Sequence, residues 1–229
     1  MSNVLTVVTA RGHSRELPRK NILPLLGKPL IAWTIECARQ AQSVDTLIIS
    51  SDDSEIISVA ESYGCQAPFV RPAELATDEA SSIDVILHAL DVMKGSFEYV
   101  ILLQPTSPLR LPQDIDACMA LCRDGGADSA VSVCAAGKPL HWMFEIGTSG
   151  EMSRVLELPD FGGPRQQHVQ PFVLNGAVYV ARVEWLRKNR SFVGPHTRAH
   201  VMPRERSIDI DSKADFLVAE ALLRLQRGA

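Results

Sequence analysis

Residues 4–21 read VLTVVTARGHSRELPRKN and join an apolar run to a strongly basic loop. The run Val4–Thr9 is mostly β-branched and has the length of a strand, a pattern typical of a strand buried on both faces. The loop after it contains four cations: Arg11, Arg15, Arg19 and Lys20. Because cations and backbone N–H groups at a strand-to-helix loop form a cradle for phosphate, the loop predicts an anion site.

The rest of the chain makes this basic loop unusual, because the 229 residues carry a formal net charge of −4. A balance of 46% hydrophobic and 22% charged residues is typical of a folded protein. The acidic balance excludes a general nucleic-acid binder, which needs a broad basic surface. No apolar run approaches the roughly 20 residues of a membrane span, and no signal peptide is recognisable. We therefore expect a cytoplasmic protein that binds anions at a local site.

The five cysteines are odd in number and form no Cys-x-x-Cys pair. Nor does any set of Cys and His residues have the spacing of a zinc site. We expect them to be small buried side chains with free thiols.

Further apolar runs alternate with helical patterns along the chain. Strands are predicted at residues 45–52, 66–72, 99–105, 128–134 and 175–181, and helices at 29–41, 53–63, 81–93, 114–124, 183–189 and 212–226. Apolar strands separated by helices predict an α/β fold, a Rossmann-like three-layer sandwich with a mostly parallel sheet. Ligands of such sheets bind beyond the carboxyl ends of the strands, where the basic loop lies.

The alternation stops between residues 138 and 172, which are rich in Gly, Pro and polar residues. We expect one domain over residues 1–229, with 138–172 as an insertion that contains a small hairpin. Long irregular segments in compact domains are often functional. From the residues alone, two interpretations stay open: a surface loop, or an arm that contacts a second copy.

In the basic loop, Gly12 would let an anion approach the backbone and Ser14 would donate a hydrogen bond. Arg11 offers a planar fork and Lys20 a compact charge. The loop is neither a Walker A motif nor a dinucleotide-binding GxGxxG. A solvated charged loop without a ligand remains the alternative.

A second chemical feature is the late segment SIDID, residues 207–211. Asp209 and Asp211 alternate along an extended segment, so their carboxylates face the same side. Two such oxygen donors suit Mg²⁺, which takes its other ligands from water and phosphate. The alternative is that these carboxylates cap the terminal helix, whose dipole favours anions.

Residues 10–21, ARGHSRELPRKN, resemble the A-R-x-x-S-K-x-[LI]-P-x-K-N signature of the acylneuraminate cytidylyltransferases, the CMP-sialic acid synthetases. Five further segments match the family in order: RPAELATDEASS (71–82), LLQPTSPLR (102–110), PRQQ (164–167), NGAVYV (175–180) and SIDID. Six ordered motifs cover nearly the whole chain, which makes the resemblance specific.

The resemblance implies a fold of the nucleotide-diphospho-sugar transferase type and a homodimer with residues 138–172 as the dimerisation arm. It implies transfer of CMP from CTP to the anomeric hydroxyl of a nonulosonic acid, with release of pyrophosphate and with Mg²⁺ as the cofactor. N-acetylneuraminic acid and N,N'-diacetyllegionaminic acid are both candidate sugars.

Individual roles follow from the matched positions. The catalytic residues are expected to be Lys20, Arg11 and Asp211. The nucleotide would be bound by Arg11, Gly12, Ser14, Lys20, Asn21, Arg71 and Ser82. The sugar would be bound by Gln104, Ser107, Arg165, Asn175 and Tyr179. The metal would be bound by Asp209 and Asp211.

Two positions depart from the resemblance: His141 and Val173 stand where the sialic acid enzymes often carry cations. Fewer cations and more apolar surface near the sugar favour a less hydroxylated substrate such as legionaminic acid. Two other functions stay open, a CMP-Kdo synthetase-like enzyme and a non-catalytic nucleotide-sugar-binding protein of the same fold. A glycosyltransferase is disfavoured because it would place its Asp-x-Asp beside a midchain strand.

Overall fold

The computed structural model describes residues 3–14, 16–156, 170–226 and 228. Within these residues the strands are β1 (Val4–Thr9), β2 (Pro24–Leu25), β3 (Lys28–Pro29), β4 (Thr46–Ser50), β5 (Tyr99–Leu103), β6 (Ser129–Ala135), β7 (Phe144–Ile146), β8 (Met152–Arg154), β9 (Phe172–Arg182) and β10 (Thr197–Val201). The helices are α1 (Leu30–Gln40), α2 (Ser54–Ser62), α3 (Ser82–Met93), α4 (Pro112–Arg123), α5 (Val183–Asn189) and α6 (Lys213–Gln226).

Six strands form the central sheet, in the order β10-β6-β9-β5-β1-β4. β1 pairs in parallel with β4 and β5, and β10 pairs in parallel with β6. Only β9 runs antiparallel to its neighbours in this sheet, β5 and β6. The predicted mostly parallel sheet is therefore confirmed, and the carboxyl ends of β1, β4, β5 and β6 share one edge.

Apolar side chains cover both faces of this sheet, which explains the continuous apolar runs in the sequence. On one face, Val4 and Val8 of β1 belong to a cluster that includes residues of α1, α2 and α4. On the other face, Leu5 and Val7 belong to a cluster with residues of α3 and α5. The alternation along β1 divides its side chains between the two layers, as a three-layer sandwich requires.

All five cysteines are free and buried, as predicted. Burial raises the pKa of the Cys65 and Cys122 thiols to about 12, so both stay protonated at neutral pH. In the described part of the chain, no helix combines the length and apolar character needed to cross a bilayer.

The strand predicted at residues 66–72 is wrong. The chain forms a single bridge to the sheet there, between Gln66 and Ile48, and then turns away from the edge strand β4. Pro68 and Pro72 lack the N–H groups that further pairing would require. The departure turns Arg71 inward, where its backbone N–H donates to the carbonyl of Ser51 at 2.8 Å.

The predicted hairpin within the insertion is confirmed as the antiparallel pair of β7 and β8, which forms a sheet of its own. It exposes Phe144, Ile146 and Met152, with Ile146 64% exposed. Residues 157–169 lie outside the described residues, so the extent of the insertion and the role of Arg165 stay predictions.

The structure adds a buried polar cluster at the start of α4. Asp114 is almost fully buried and accepts hydrogen bonds from the Leu111 backbone N–H at 2.9 Å and from His200 at 3.0 Å. Arg206 forms an ion pair with the same carboxylate. Burial alone raises the pKa of Asp114, but the hydrogen bonds from His200, Leu111 and Arg206 outweigh it and lower the pKa below its ordinary value. The cluster joins α4 to the edge strand β10 and to the segment before Asp209.

Asp114→Asn is expected to lower the free energy of unfolding at pH 7 by about 3 kcal/mol, because it leaves Arg206 without its buried partner. Since the folded-state pKa is lowered, the carboxylate contributes fully above its ordinary pKa of 3.8 and loses its effect as the pH falls through the folded value. Urea unfolding of both proteins between pH 7 and pH 3 should show the difference shrinking at the acid end. The exposed Asp124 at the other end of α4 provides the control, Asp124→Asn, and equal stabilities of Asp114→Asn and the wild type at pH 7 would contradict the expectation.

Candidate active site

A cleft of about 640 Å³ opens at the carboxyl edge of the sheet. Its walls come from the loop after β1, the segment before α3, the loop after β5 and the segment before α6. The cleft is lined by nine of the residues predicted from the sequence: Arg11, Ser14, Lys20, Asn21, Arg71, Ser82, Gln104, Asp209 and Asp211. The fold thus brings together residues that lie up to 200 positions apart in the chain.

Lys20 crosses the cleft to the late acidic segment. Its Nζ donates to the carbonyl of Ile210 at 2.7 Å and to Asp211 Oδ1 at 2.9 Å. The preceding residue, Arg19, has left-handed backbone geometry with φ of 56°. The Arg19 guanidinium binds Asp53 at 3.1 Å and Glu55 at 2.5 Å at the start of α2. These ion pairs fasten the loop to α2, so that Lys20 faces inward.

Arg11 lies on the same wall and forms an ion pair of 2.5 Å with Asp78. Asn21 is buried and donates to the carbonyl of Arg11 at 3.0 Å, which orders the loop. The Gly12 N–H donates to Asp52 at 3.0 Å, and a Cβ added there would lie 2.8 Å from Asp53 Oδ2. The close approach that Gly12 permits in this structure is therefore to the chain's own Asp53.

Arg71 and Ser82 form the next part of the wall. The Arg71 guanidinium is buried and donates to the hydroxyl and the carbonyl of Ser50. Burial lowers the pKa of Arg71 to about 10, which leaves it cationic at neutral pH. Ser82 begins α3, and Ser81 caps that helix by accepting from the Ile83 N–H. The positive end of the α3 dipole therefore faces the cleft and favours an anion there.

Next to Gln104 and Asp209, which line the cleft, lies a glycine that sequence reasoning missed. Gly176 in β9 has φ of 73°, which favours glycine. A Cβ at this position would lie 2.7 Å from Gln104 Oε1 and 3.1 Å from Asp209 Oδ2. The missing side chain lets both groups approach the strand. The available signal was a glycine in the apolar strand pattern NGAVYV, which often marks a bulge or a close approach.

The acidic segment is anchored through Ile210, whose side chain is buried. The Ile210 N–H donates to the carbonyl of Thr106 at 2.9 Å, and its own carbonyl accepts from Lys20. Asp209 and Asp211 on either side of it both line the cleft, as the alternation predicted. Burial first, and then the charge of Asp211, raise the pKa of Asp209 despite opposing interactions with Thr106 and Lys20.

The capping function that was the alternative for these two carboxylates falls to other residues. The Asp215 carboxylate accepts from the Ser212 N–H at 2.8 Å, and the Ser212 hydroxyl accepts from the Asp215 N–H at 3.3 Å. This reciprocal arrangement is a capping box at the start of α6. Asp209 and Asp211 are thus not needed to cap the start of α6, and they line the cleft.

Three further residues predicted to bind the sugar, Ser107, Asn175 and Tyr179, do not line the cleft. Ser107 is fully buried, and its hydroxyl has no hydrogen-bond partner among the described residues. Asn175 is buried and donates to Ser207 at 2.9 Å. Tyr179 packs against Phe192 with ring centroids 5.5 Å apart, and burial together with the charge of Asp209 raises its pKa. None of these three contributes to the lining of the cleft in this structure.

The electrostatics of the cleft suit a polyphosphate bound with a divalent cation. Cations, a helix N-terminus and two carboxylates all line the cleft, and Lys20 meets one of these carboxylates at 2.9 Å. Among the described residues, no three or more His, Cys, Asp or Glu side chains gather into a metal site. A pair of carboxylates is the donor set for a hard cation that takes its other ligands from water and phosphate.

Comparison with known proteins agrees with this geometry. Residues 5–151 match the family described as cytidylyltransferase. The chain is 33% identical to an N-acylneuraminate cytidylyltransferase of Escherichia coli O18:K1:H7, over 95% of this chain and 51% of that protein, so it spans about half of that relative. It is 34% identical to a CMP-N,N'-diacetyllegionaminic acid synthase of Legionella pneumophila, over 99% and 98% of the two chains. A pseudaminic acid cytidylyltransferase of Campylobacter jejuni is 30% identical over 96% of each.

Two solved structures share the fold. A CMP-2-keto-3-deoxy-manno-octonic acid synthetase complexed with CTP has a TM-score of 0.73 at 19% identity and covers 98% of this chain and 100% of its own. A 4-diphosphocytidyl-2C-methyl-D-erythritol synthase from Anaerococcus prevotii has a TM-score of 0.64 at 13% identity, over 97% and 99% of the chains. The predicted Rossmann-like nucleotide-sugar transferase fold is confirmed, and the chain belongs to the cytidylyltransferase family.

Proposed function

We propose that this protein transfers CMP from CTP to the anomeric hydroxyl of a nonulosonic acid and releases pyrophosphate. The observation that carries the proposal is the contact across the cleft between Lys20 and the segment of Asp209 and Asp211, with Nζ 2.9 Å from Asp211 Oδ1. This contact brings the basic loop, which would bind phosphate, next to the two carboxylates that would bind a metal. The names of the relatives support the same reaction class.

In this function Arg11 and Lys20 bind the triphosphate on one wall. Phosphoryl-type transfer depends mainly on positioning and on neutralising charge at the transferring and leaving phosphates. The fork of Arg11 suits two phosphate oxygens, and the ammonium of Lys20 reaches the point where charge develops. Arg71 and Ser82 would bind the nucleoside, and Gln104 would bind the sugar.

Asp209 and Asp211 would hold the Mg²⁺ ion. Their hard oxygen donors line the same cleft as Arg11 and Lys20, which fits an ion shared with phosphate. When bound, the ion would neutralise phosphate charge and activate the attacking hydroxyl. Lys20, paired with Asp211, positions this carboxylate and balances its charge.

The sugar is N-acetylneuraminic acid or a relative such as N,N'-diacetyllegionaminic acid. Val173, at the start of β9, is 43% exposed and adds an apolar surface where the sialic acid enzymes often have a cation. The Legionella relative, whose name refers to legionaminic acid, matches almost the full length of both chains. Comparing kcat/KM for the two sugars decides between them, and a strong preference for N-acetylneuraminic acid would defeat the legionaminic acid hypothesis.

The activity itself is tested by incubating the protein with CTP, Mg²⁺ and a panel of keto-sugar acids, and measuring pyrophosphate. We expect release only when CTP, the metal and a nonulosonic acid are all present. Pyrophosphate release with 2-keto-3-deoxy-manno-octonic acid but with no nonulosonic acid of the panel would favour the CMP-Kdo synthetase alternative. If the protein binds CTP but releases no pyrophosphate with any of the acids, the non-catalytic binding protein is favoured.

The protein would act as a homodimer through the β7–β8 hairpin and the start of β9. Phe144, Ile146, Met152, Phe172 and Leu174 are all more than 40% exposed in the single chain. Several large exposed apolar side chains are typical of a protein–protein interface. Size-exclusion chromatography with light scattering tests this proposal, and a clean monomer at micromolar concentration would contradict it.

Asp78→Asn is expected to tighten CTP binding by about three- to tenfold at low salt. The Asp78 carboxylate binds Arg11 at 2.5 Å and competes for it with any phosphate, so its removal leaves the cation for the nucleotide. Calorimetric titration with CTP measures the dissociation constant. The neighbouring exposed Glu79 supplies the control, Glu79→Gln, which changes the net charge equally. Weaker binding in Asp78→Asn would instead indicate that this carboxylate helps to hold the metal.

A further inference from the structure

A group of buried polar contacts around Arg110, next to the cleft, has no role in the function proposed so far. Its centre is Arg110, which is 3% exposed and forms no ion pair among the described residues. Its Nη1 donates to the carbonyl of Ala177 at 2.5 Å and more weakly to that of Gln104 at 3.4 Å. Its Nη2 donates to Thr34 Oγ1 at 2.7 Å. Burying a cation without a carboxylate is costly. The two carbonyl groups that Arg110 binds belong to Gln104, which lines the cleft, and to Ala177, which follows Gly176 in β9.

The strand above Arg110 is irregular. The pairing of β6 with β9 shifts register between Val131 and Val133, so that residues 175–178 bulge out of the ladder opposite Ser132. Inside the bulge, the Ser132 hydroxyl donates to Asn175 Oδ1 at 2.6 Å and accepts from the Val178 N–H at 2.8 Å. Asn175 Oδ1 also accepts from the Ala177 N–H at 3.3 Å. Side chains thus satisfy backbone groups that the broken ladder leaves without partners.

The bulge places Gly176 against Gln104 and Asp209, which both line the cleft. Gly176 approaches Gln104 and Asp209 so closely that a single added carbon would lie 2.7 Å from the first and 3.1 Å from the second. Bulges next to sites of function commonly re-aim side chains. Here the position of the bulge determines how closely the Gln104 carboxamide and the Asp209 carboxylate approach β9.

We propose that the β9 bulge is a positioning element for the sugar side of the site, with Arg110 and Gly176 as its positioning residues. Arg110 holds the bulge against the end of β5 from below through the carbonyls of Ala177 and Gln104. Gly176 leaves the space above, in which the Gln104 side chain lies. The inference rests on the proposed function, because it assigns the Gln104 carboxamide to the sugar substrate.

The test compares Gly176→Ala with a matched control, Gly126→Ala. Both glycines have positive φ, 73° and 67°, so both variants carry similar backbone strain. A Cβ at Gly126 would contact nothing within 4 Å, and this residue precedes β6 at the opposite end of the sheet. We expect Gly176→Ala to lower Tm at least as much as Gly126→Ala, because only its Cβ meets neighbouring side chains. Only Gly176→Ala should lower kcat/KM for the sugar, by at least about tenfold.

Binding of CTP should separate positioning from general damage. Gly176 approaches Gln104 and Asp209 rather than the cations of the cleft, so Gly176→Ala should change the dissociation constant of CTP, measured without Mg²⁺, by less than about twofold. Arg110→Lys should show the same pattern, because lysine keeps the charge but loses the fork that spans two carbonyls. Should Gly176→Ala fail to fold, Arg110→Lys carries the test with the same readouts.

An NMR measurement without substrate distinguishes failure of this inference from failure of the proposed function. The side-chain amide NMR signal that disappears in Gln104→Leu should shift in Gly176→Ala and stay in place in Gly126→Ala. The inference is overturned if the two glycine variants agree in this signal and in kcat/KM for the sugar. If the wild-type protein releases no pyrophosphate with any acid, the proposed function fails, and the Gln104 signal still decides whether the bulge positions this side chain.

Discussion

Lys20→Met is expected to lower kcat/KM for CTP by about 10³-fold, equivalent to about 4 kcal/mol of transition-state stabilisation. The Lys20 side chain is 13% exposed and ends between Ile210 and Asp211, so its charge acts in a partly desolvated cleft. In the proposed reaction it would contact the phosphates as pyrophosphate leaves and their negative charge grows. Steady-state measurement of pyrophosphate release gives the effect.

The fold should survive this substitution. The partner carboxylate of Asp211 is 70% exposed and can be solvated when the ammonium is lost, so Tm should change little. Lys188→Met, an exposed lysine of α5 away from the cleft, is the control for loss of one positive charge. A kcat/KM for CTP within about threefold of the wild-type value would remove Lys20 from its catalytic role.

Asp209→Asn is expected to lower kcat by about 10²- to 10³-fold at millimolar Mg²⁺ and to raise the Mg²⁺ concentration that gives half-maximal rate. The substitution keeps the shape of the side chain but removes the charge that a divalent cation needs. Because Asp209 lies at the floor beside Gln104, rather than in a capping interaction, the loss should appear in metal dependence more than in stability. A Mg²⁺ titration of pyrophosphate release, at constant free CTP, measures both quantities.

Asp215→Asn provides the comparison, because Asp215 is the carboxylate that caps α6. It should cost about 1 kcal/mol of stability, the usual value of a cap, and leave the Mg²⁺ titration unchanged. If instead Asp209→Asn gave the wild-type metal titration and a lower Tm, its carboxylate would be structural and the proposed metal site would be wrong.

The sequence predicted the elements whose physics is local. Val4–Thr9 and residues 99–105 are apolar on both faces because helices cover both sides of the sheet, and that pattern is visible without the structure. The helix at 81–93 was recognisable because Ser81 stands at its start as an N-cap. The alternation in SIDID likewise predicted that its two carboxylates share a side.

The errors fell where tertiary contacts override local pattern. Thr197–Val201 was missed as a strand because it is a polar edge strand with mostly exposed residues. Residues 66–72 contain β-forming residues but lie at the other edge, where two prolines prevent pairing. The length of β9 was underestimated because its first residues, Phe172 to Leu174, are exposed and followed an irregular segment.

The sequence predicted most of the residues that line the site, but it did not predict the contacts that hold them in place. Motif resemblance identified Asn175, but the side chain lies inside the bulge and supports backbone groups of β9. No local pattern indicates a register shift between β6 and β9, because it depends on how two distant segments pair. Gly176 and Arg110 were therefore visible as residue types in matching motifs, while their function depends on contacts that only the fold creates.

The basic loop and the acidic segment are proposed to bind the same nucleotide in one cleft. A crystal structure of the protein with CTP and Mg²⁺, without the sugar, tests this most directly. The triphosphate should lie within hydrogen-bond distance of Arg11 and Lys20, with the metal bound by Asp209 and Asp211. Nucleotide bound outside this cleft, or metal bound away from both carboxylates, would contradict the account.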